Sequence, residues 1–423
     1  MARGGPVMIG AGMPKAQHGA APRKTIRVSD FRQSAVTGAP RLSCLLEGEG
    51  LPERLWFDIQ SGAVGPLALT EPNWAAIALI YPAMLTGRDL RIEASLSPRL
   101  LSALRGDLQD LLLAYDPRLR RIGIHAQAGI LPPELQTTGG AASGFSGGVD
   151  SFATWLLYTR PDVPAALRLT HVSLHNVGAF GPRAGAQAAF AASARRHAEF
   201  AAGQGLAALQ VDSNLDDLFR PIDPNFDHSH SLRNVAVAHI FADSLQYYLC
   251  SSAYPYDQIG IAGLRAAKAL STAYLDPLLL PLLSTERLTV ISAGAGLTRQ
   301  DKIALLADDP LAQRQLDVCT SSPAERARAG RLNCSDCKKC QRTIVTLDAL
   351  GKLDRFAAVF DVEGYRARRR KVLSRIHRKA LSGSTTDRAV MVVLRREGVR
   401  VPELWPRVAA LAVRGLTLLR LRR

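Results

Sequence analysis

The segment Ser146-Gly147-Gly148-Val149-Asp150-Ser151 constrains this chain more than any other stretch. It follows a small and apolar run at residues 141–145 and leads into a helix-forming stretch that begins near Asp150. Two glycines let the backbone approach an anion closely. The serine hydroxyls add donors, and the helix start aims free N–H groups at the same point. Such a turn suits a pyrophosphate. The Gly-Lys-Ser/Thr ending of a Walker loop is absent, so the turn is not built around a transferred γ-phosphate. A glycine-rich turn with Asp150 as a plain helix cap is the alternative reading. Downstream, strand-like runs at 167–174, 208–211, 258–262 and 288–292 alternate with helical stretches at 183–204, 231–249 and 298–307. This alternation predicts an α/β fold, a doubly wound and mostly parallel sheet with helices on both faces.

The rest of the chain divides around that core. Residues 1–24 are rich in Gly, Ala and Pro and are expected to be disordered. Residues 25–135 read as an α+β accessory domain, with strands at 25–28, 55–59, 89–94 and 121–125. Helices are expected there at 74–85 and 98–114, the latter with Leu101, Leu104, Leu108 and Leu111 along one face. A Gly/Pro/Thr-rich link at 129–140 leads to the nucleotide-binding domain proper, residues 136–318.

Cys44 and Cys250 are isolated, whereas Cys319 is followed by Cys334-x-x-Cys337-x-x-Cys340. Clustering of this kind in a long chain reads as a metal site rather than a disulfide framework. Four thiolates close a tetrahedral Zn²⁺ shell with no open position, which makes its role structural. An iron–sulfur cluster is the other option. Asn333, Ser335, Asp336, Lys338 and Lys339 surround the thiols, too polar a setting for core cysteines. The zinc subdomain is assigned to 319–363, with a helix at 343–350 closed by Gly351.

The formal net charge of +16 is not spread evenly. Residues 364–423 hold 17 Lys/Arg against 3 Asp/Glu, and the preceding 363 residues hold 36 against 34. A basic groove across the body is therefore not supported, and a basic helical tail over 364–423 is indicated. Its run Arg366, Arg368, Arg369, Arg370, Lys371, Arg375, Arg378 and Lys379 is a solvated face or a contact for nucleic acid or an acidic partner. The helix at 366–379 is expected to be exposed, and Val392, Val393, Leu394, Trp405, Leu411 and Leu418 to dock the rest. No apolar run reaches a membrane span. The first 29 residues carry five bases and no acid but no apolar h-region, which speaks against a secretory signal and leaves a mitochondrial presequence open. A cytoplasmic protein without membrane contact is expected, and a homodimer is left open.

The Ser-Gly-Gly-x-Asp-Ser segment resembles the PP-loop of the N-type ATP pyrophosphatases, a HUP-like superfamily. Its members cleave ATP between the α and β phosphates and attach AMP to an oxygen, which a nucleophile then displaces. By that resemblance Ser146, Gly147, Gly148, Val149, Asp150 and Ser151 would hold ATP and Mg²⁺, and Leu174 and His175 would lie near the adenine. The four cysteines narrow the resemblance to the 7-cyano-7-deazaguanine synthase family of queuosine biosynthesis, which turns a carboxylate into a nitrile with ATP and ammonia. Arg233-Asn234 at a helix start, Thr298-Arg299-Gln300-Asp301-Lys302 ahead of the first cysteine, and Arg342 after the last one follow in the same order. The resemblance covers residues 143–342 and implies catalytic roles for Asp150, Ser151, Arg299 and Lys302.

Two departures bear on the substrate. About 140 residues precede the loop, and the stretch at 263–283 is rich in Leu and Ala where the family has a polar substrate-binding segment. The chemistry implied is an ATP-dependent carbon–nitrogen ligase that adenylates a carboxylate for attack by ammonia or an amine. Its substrate would be a base, a metabolite or a partner protein, and a phage-defence role is among the options. A tRNA sulfurtransferase using the same adenylation, or a non-catalytic nucleic-acid-binding or defence scaffold, are the rival readings. Asp227-His228-Ser229-His230 is a further candidate for metal or base chemistry, against capping or surface roles. His171 and His175 flank a strand end, where core packing and nucleotide contact are equally open. Arg299 and Lys302 sit one turn apart at a helix start, where cations are disfavoured unless an anion is near.

Overall fold

The computed structural model describes residues 24–36, 38–60, 67–130, 139–181, 183–267, 269–321, 326 and 330–402. The expected disorder at the N-terminus, most of the 129–140 link, and the docking of Trp405, Leu411 and Leu418 fall outside the described residues.

Five strands after the link build the predicted sheet: β6 (Gly140–Gly144), β7 (Leu169–Asn176), β8 (Ala207–Ser213), β9 (Leu245–Ser251) and β10 (Thr289–Ala293). They are parallel and lie in the order β8-β7-β6-β9-β10. Counted from β6 this is 3-2-1-4-5, the doubly wound order, whose crevice opens beyond the carboxyl ends of the strands flanking the reversal. The glycine loop leaves β6 at that point. Between the strands run α4 (Val149–Tyr158), α5 (Arg183–Gly203), α6 (Leu215–Phe219), α7 (His230–Ala238), α8 (Gly260–Ala267) and α9 (Asp276–Leu282). After β10 come α10 (Arg299–Leu306) and α11 (Pro310–Gln315).

The N-terminal region forms β1 (Thr25–Val36), β2 (Ala39–Glu47), β3 (Arg54–Ile59), β4 (Asp89–Leu96) and β5 (Ile124–Ala128). Its helices are α1 (Asn73–Thr86), α2 (Pro98–Arg105) and α3 (Asp107–Tyr115). It mixes strands and helices and continues the same sheet. β3 pairs antiparallel with β8 through Phe57↔Ser213 and Ile59↔Val211, giving a sheet of ten strands among the described residues. One apolar core then runs from Ile26, Phe57 and Trp74 to Val211, Val237 and Val290. α1 is buried on every side from Asn73 to Met84 and packs against α7, as a helix apolar all round must.

Some expected elements differ. The helix at 98–114 is two helices, broken at Gly106. The helix at 231–249 ends at Ala238, passes through a 3-10 turn and gives way to β9, while residues 258–262 form a turn and the start of α8 rather than a strand. β9 lies between β6 and β10, and a short apolar run in a central strand has no alternation to tell it from a buried helix.

The last helices among the described residues, α12 (Lys338–Ala349), α13 (Val362–Leu381) and α14 (Thr385–Arg396), close over a second core. There Phe152, Ile344, Phe360, Leu373 and Leu394 share one cluster with Cys340. Arg342 binds Asp387 through two hydrogen bonds, Nε–Oδ1 at 2.9 Å and Nη2–Oδ2 at 2.7 Å, fixing α12 to α14. Val393 and Leu394 dock as expected, whereas Val392 is exposed.

Asn214 sits at the junction of the two halves. Its Oδ1 accepts from Trp56 N–H at 2.9 Å and its Nδ2 donates to the Arg54 carbonyl at 2.8 Å. Asn214→Ala should lower unfolding free energy by about 1–3 kcal/mol in urea titration, because two backbone groups lose their partners. A loss within error would show that the strand junction does not need this bridge.

Candidate functional site

Gly147 takes φ +76°, a left-handed conformation open to glycine, and this turns the chain out of β6 toward α4. The first N–H groups of α4 have no intrahelical acceptors, so they face the space above the loop. Inside the turn Gly148 N–H donates to Ser146 Oγ at 3.4 Å, and Ser151 Oγ donates to the Gly148 carbonyl at 3.0 Å. The two serine oxygens are 3.5 Å apart. Val149 and Ser151 are buried, anchoring the helix, while Ser146 is exposed and Asp150 half-buried.

Asp150 receives two cations from α10. Arg299 Nη1 lies 2.6 Å from its Oδ2 and Lys302 Nζ lies 3.3 Å from its Oδ1. This supplies the anion that cations at a helix start require. The helix start itself is set by the Thr298/Asp301 capping box. Lys302 also donates to the Ser252 carbonyl at the end of β9. Burial holds the Lys302 ammonium below its ordinary range, and the Asp150 carboxylate offsets only part of that. Asp150, Arg299 and Lys302 therefore come together, and Ser151 follows Asp150 in the first turn of α4.

Leu174 and His175 separate, since neighbouring strand residues face opposite sides of a sheet. Leu174 lines an open cleft beside the loop, with Phe145, Ser146, Gly147, Arg196, Arg314 and Asp317. His175 turns to the other face. It stacks on Tyr248, its Nδ1 lies 3.1 Å from Asn234 Oδ1, and burial pushes its pKa down to about 4. Asn234 in turn donates to the His230 carbonyl at 2.8 Å. Arg233 is fully buried, bonded to Asp216 at 2.9 Å and to the Val177 carbonyl at 3.0 Å, with its guanidinium over Phe219. In this arrangement it braces the ends of β7 and α6. His228 is held by Asp223 and Arg118, and His230 by Thr272 Oγ1 at 2.9 Å, so the Asp227–His230 loop is tied down by the surrounding protein.

Asp317 and Arg196 carry no motif that would single them out. Asp317 N–H donates to the Gly147 carbonyl at 2.8 Å, and its carboxylate pairs with Arg326 at 2.8 Å and Arg196 at 3.7 Å. Only the crossing of residues 315–317 over the loop reveals this.

Two residues on, Cys319 opens the cysteine cluster. The sulfurs of Cys319, Cys334, Cys337 and Cys340 all lie within 4.8 Å of one another, with Cys337–Cys340 at 3.4 Å and Cys334–Cys340 at 4.0 Å. Ser335, at φ +60°, makes the tight turn between ligands. Backbone N–H groups of Cys334, Cys337 and Cys340 point at neighbouring sulfurs at 3.3–3.5 Å, which favours thiolates. The group could hold one metal ion such as zinc. Cys44 and Cys250 are apart from it, their thiols pushed up by burial, Cys44 to about 12.

No helix among the described residues is long and apolar enough to cross a membrane. Comparisons of the chain with protein-family models, with curated proteins and with solved structures each return no match.

Purified protein is expected to carry one zinc per chain by elemental analysis. Cys337→Ser should lose that metal and unfold at lower temperature, since binding and folding of the local loop are linked, while Cys250→Ser keeps the metal. Metal content unchanged in Cys337→Ser would remove this residue from the ligand set.

Proposed function

We propose that this protein is an ATP-dependent ligase of the PP-loop type, related in chemistry to the 7-cyano-7-deazaguanine synthases. The observation that carries the reading is the glycine loop at the reversal point of a 3-2-1-4-5 parallel sheet, with Asp150 held between Arg299 and Lys302. The cysteine cluster after the sheet adds to it, in the order expected for that family.

In this reading ATP binds with its phosphates above the loop, where N–H groups of α4 and the hydroxyls of Ser146 and Ser151 meet negative charge. The adenosine lies along the cleft past Leu174. Asp150 and the two serines offer hard oxygen donors suited to Mg²⁺, which would offset the charge of the departing pyrophosphate. Arg299 and Lys302 position Asp150 and stand ready to meet phosphate or substrate carboxylate as charge shifts. A carboxylate oxygen of the substrate attacks the α-phosphorus and the bond to the β-phosphate oxygen breaks, releasing pyrophosphate. Ammonia or an amine then attacks the acyl carbon of the adenylate. AMP leaves with the bonding pair and the nitrogen gives up a proton. Zinc at the four thiolates is structural, because a closed sulfur shell leaves no position for a reacting water.

Sulfur transfer fits less well. All four clustered cysteines converge on one point, and the thiols of buried Cys44 and partly buried Cys250 are both pushed toward the protonated form, so none is poised as a persulfide carrier.

The test is carboxylate-dependent exchange of labelled pyrophosphate into ATP, run with a panel of carboxylates and without a nucleophile. Exchange should occur with at least one acid, and Asp150→Asn should reduce it by about 100-fold or more. Formation of ADP and orthophosphate, sensitive to Asp150→Asn, would overturn the assignment.

A further inference from the structure

The positive charge of this chain gathers on one face that its own acids leave uncovered. We propose that the outer face of α13, with the start of α12 beside it, is a docking surface for the phosphate backbone of duplex nucleic acid.

α13 carries eight Lys/Arg and one Glu. Its inner stripe, Val372, Leu373, Ile376 and Ala380, is buried in the second core. Three cations are neutralised locally: Arg366 by Asp354 and Glu363, Arg368 by Asp336, and Arg369 by Asp348. Arg370, Lys371, Arg375, Arg378 and Lys379 have no ion pair among the described residues. Arg375 donates to Gln341 Oε1 at 3.2 Å, which lays this face along the first turns of α12, where Lys338 and Lys339 are exposed. Burial and the nearby charges of Lys338, Arg342 and Arg375 push the Lys379 ammonium below its ordinary range. Asp387 opposes them, but it is already bound to Arg342.

Residues 1–23 hold three bases and no acid, and residues 403–423 hold five bases and one acid, so both ends of the chain add net positive charge. A polyanion would supply the counter-charge that this face lacks among the described residues. Lys371 to Lys379 spans about 12 Å of helix axis, a length over which a duplex presents several phosphates. Single-strand binding draws on stacking rings, and Tyr365, the aromatic residue of α13, is buried. A rigid row of cations without aromatic rings reads a backbone and not a base sequence.

The experiment uses the full chain and a fluorescent duplex of about 25 base pairs, followed by anisotropy at several salt concentrations. The triple variant Arg370→Gln, Lys371→Gln, Arg378→Gln removes three cations outside the core. It should weaken binding at low salt by tenfold or more and reduce the slope of log K against log salt by roughly 0.9 for each lost phosphate contact. A second duplex of unrelated sequence should bind equally well. Unchanged affinity and slope would overturn the proposal, and so would tighter binding of polyglutamate or of single strands. Zinc content and melting temperature report on folding of the triple variant, and the single Arg378→Gln change gives the same reading with less perturbation. Pyrophosphate exchange should be untouched, so failure here and failure of the ligase reading are separately visible.

Discussion

The hydrogen bond from Asp317 N–H to the Gly147 carbonyl is the contact on which the arrangement turns. A glycine loop is flexible by composition, and a contact across it is what fixes the direction of its N–H groups. Here the strap at residues 315–317 lies across the loop, and two residues later the chain enters the cysteine cluster. Asn333 reinforces the strap by accepting from Val318 N–H at 2.9 Å and donating to the Leu316 carbonyl at 2.7 Å. The loop that carries the four-cysteine cluster thus backs the glycine turn.

The opposite side of the loop is organised by charge. Asp150 on α4 and the Arg299–Lys302 pair on α10 hold two helix starts together, and Lys302 reaches the end of β9 as well. A lysine this deeply buried is tolerable because its ammonium meets a carboxylate and a carbonyl at once. The same groups that stabilise the crevice are therefore charged groups that a phosphate could recruit.

Extending the parallel sheet by β3 has a consequence for the site too. An exposed β8 would present unpaired backbone groups to solvent. β3 covers them, and α1 seals the core behind α7. The network of Tyr81, Asp116, Arg118, Asp223 and His228 then ties the N-terminal helices to the loop ahead of α7. The N-terminal region is in this respect a wall of the same sheet that carries the glycine loop.

The amino-acid sequence by itself determined the local devices. The Ser146–Ser151 turn, the capping box at Thr298, the spacing of Cys334, Cys337 and Cys340 and the alternation of strands and helices each act within a few neighbouring residues, where residue type and spacing leave few conformations. Tertiary structure decided what is far apart in the chain. That β9 is a strand depends on its two partners, β6 and β10, and the periodicity of Leu245–Ser251 does not contain it. That Arg233 is buried between phenylalanines, that His175 faces away from the cleft, and that Asp317 closes the glycine loop follow from which elements pack together. Side-chain environment is a property of packing, and packing is set by contacts between residues that no local pattern relates.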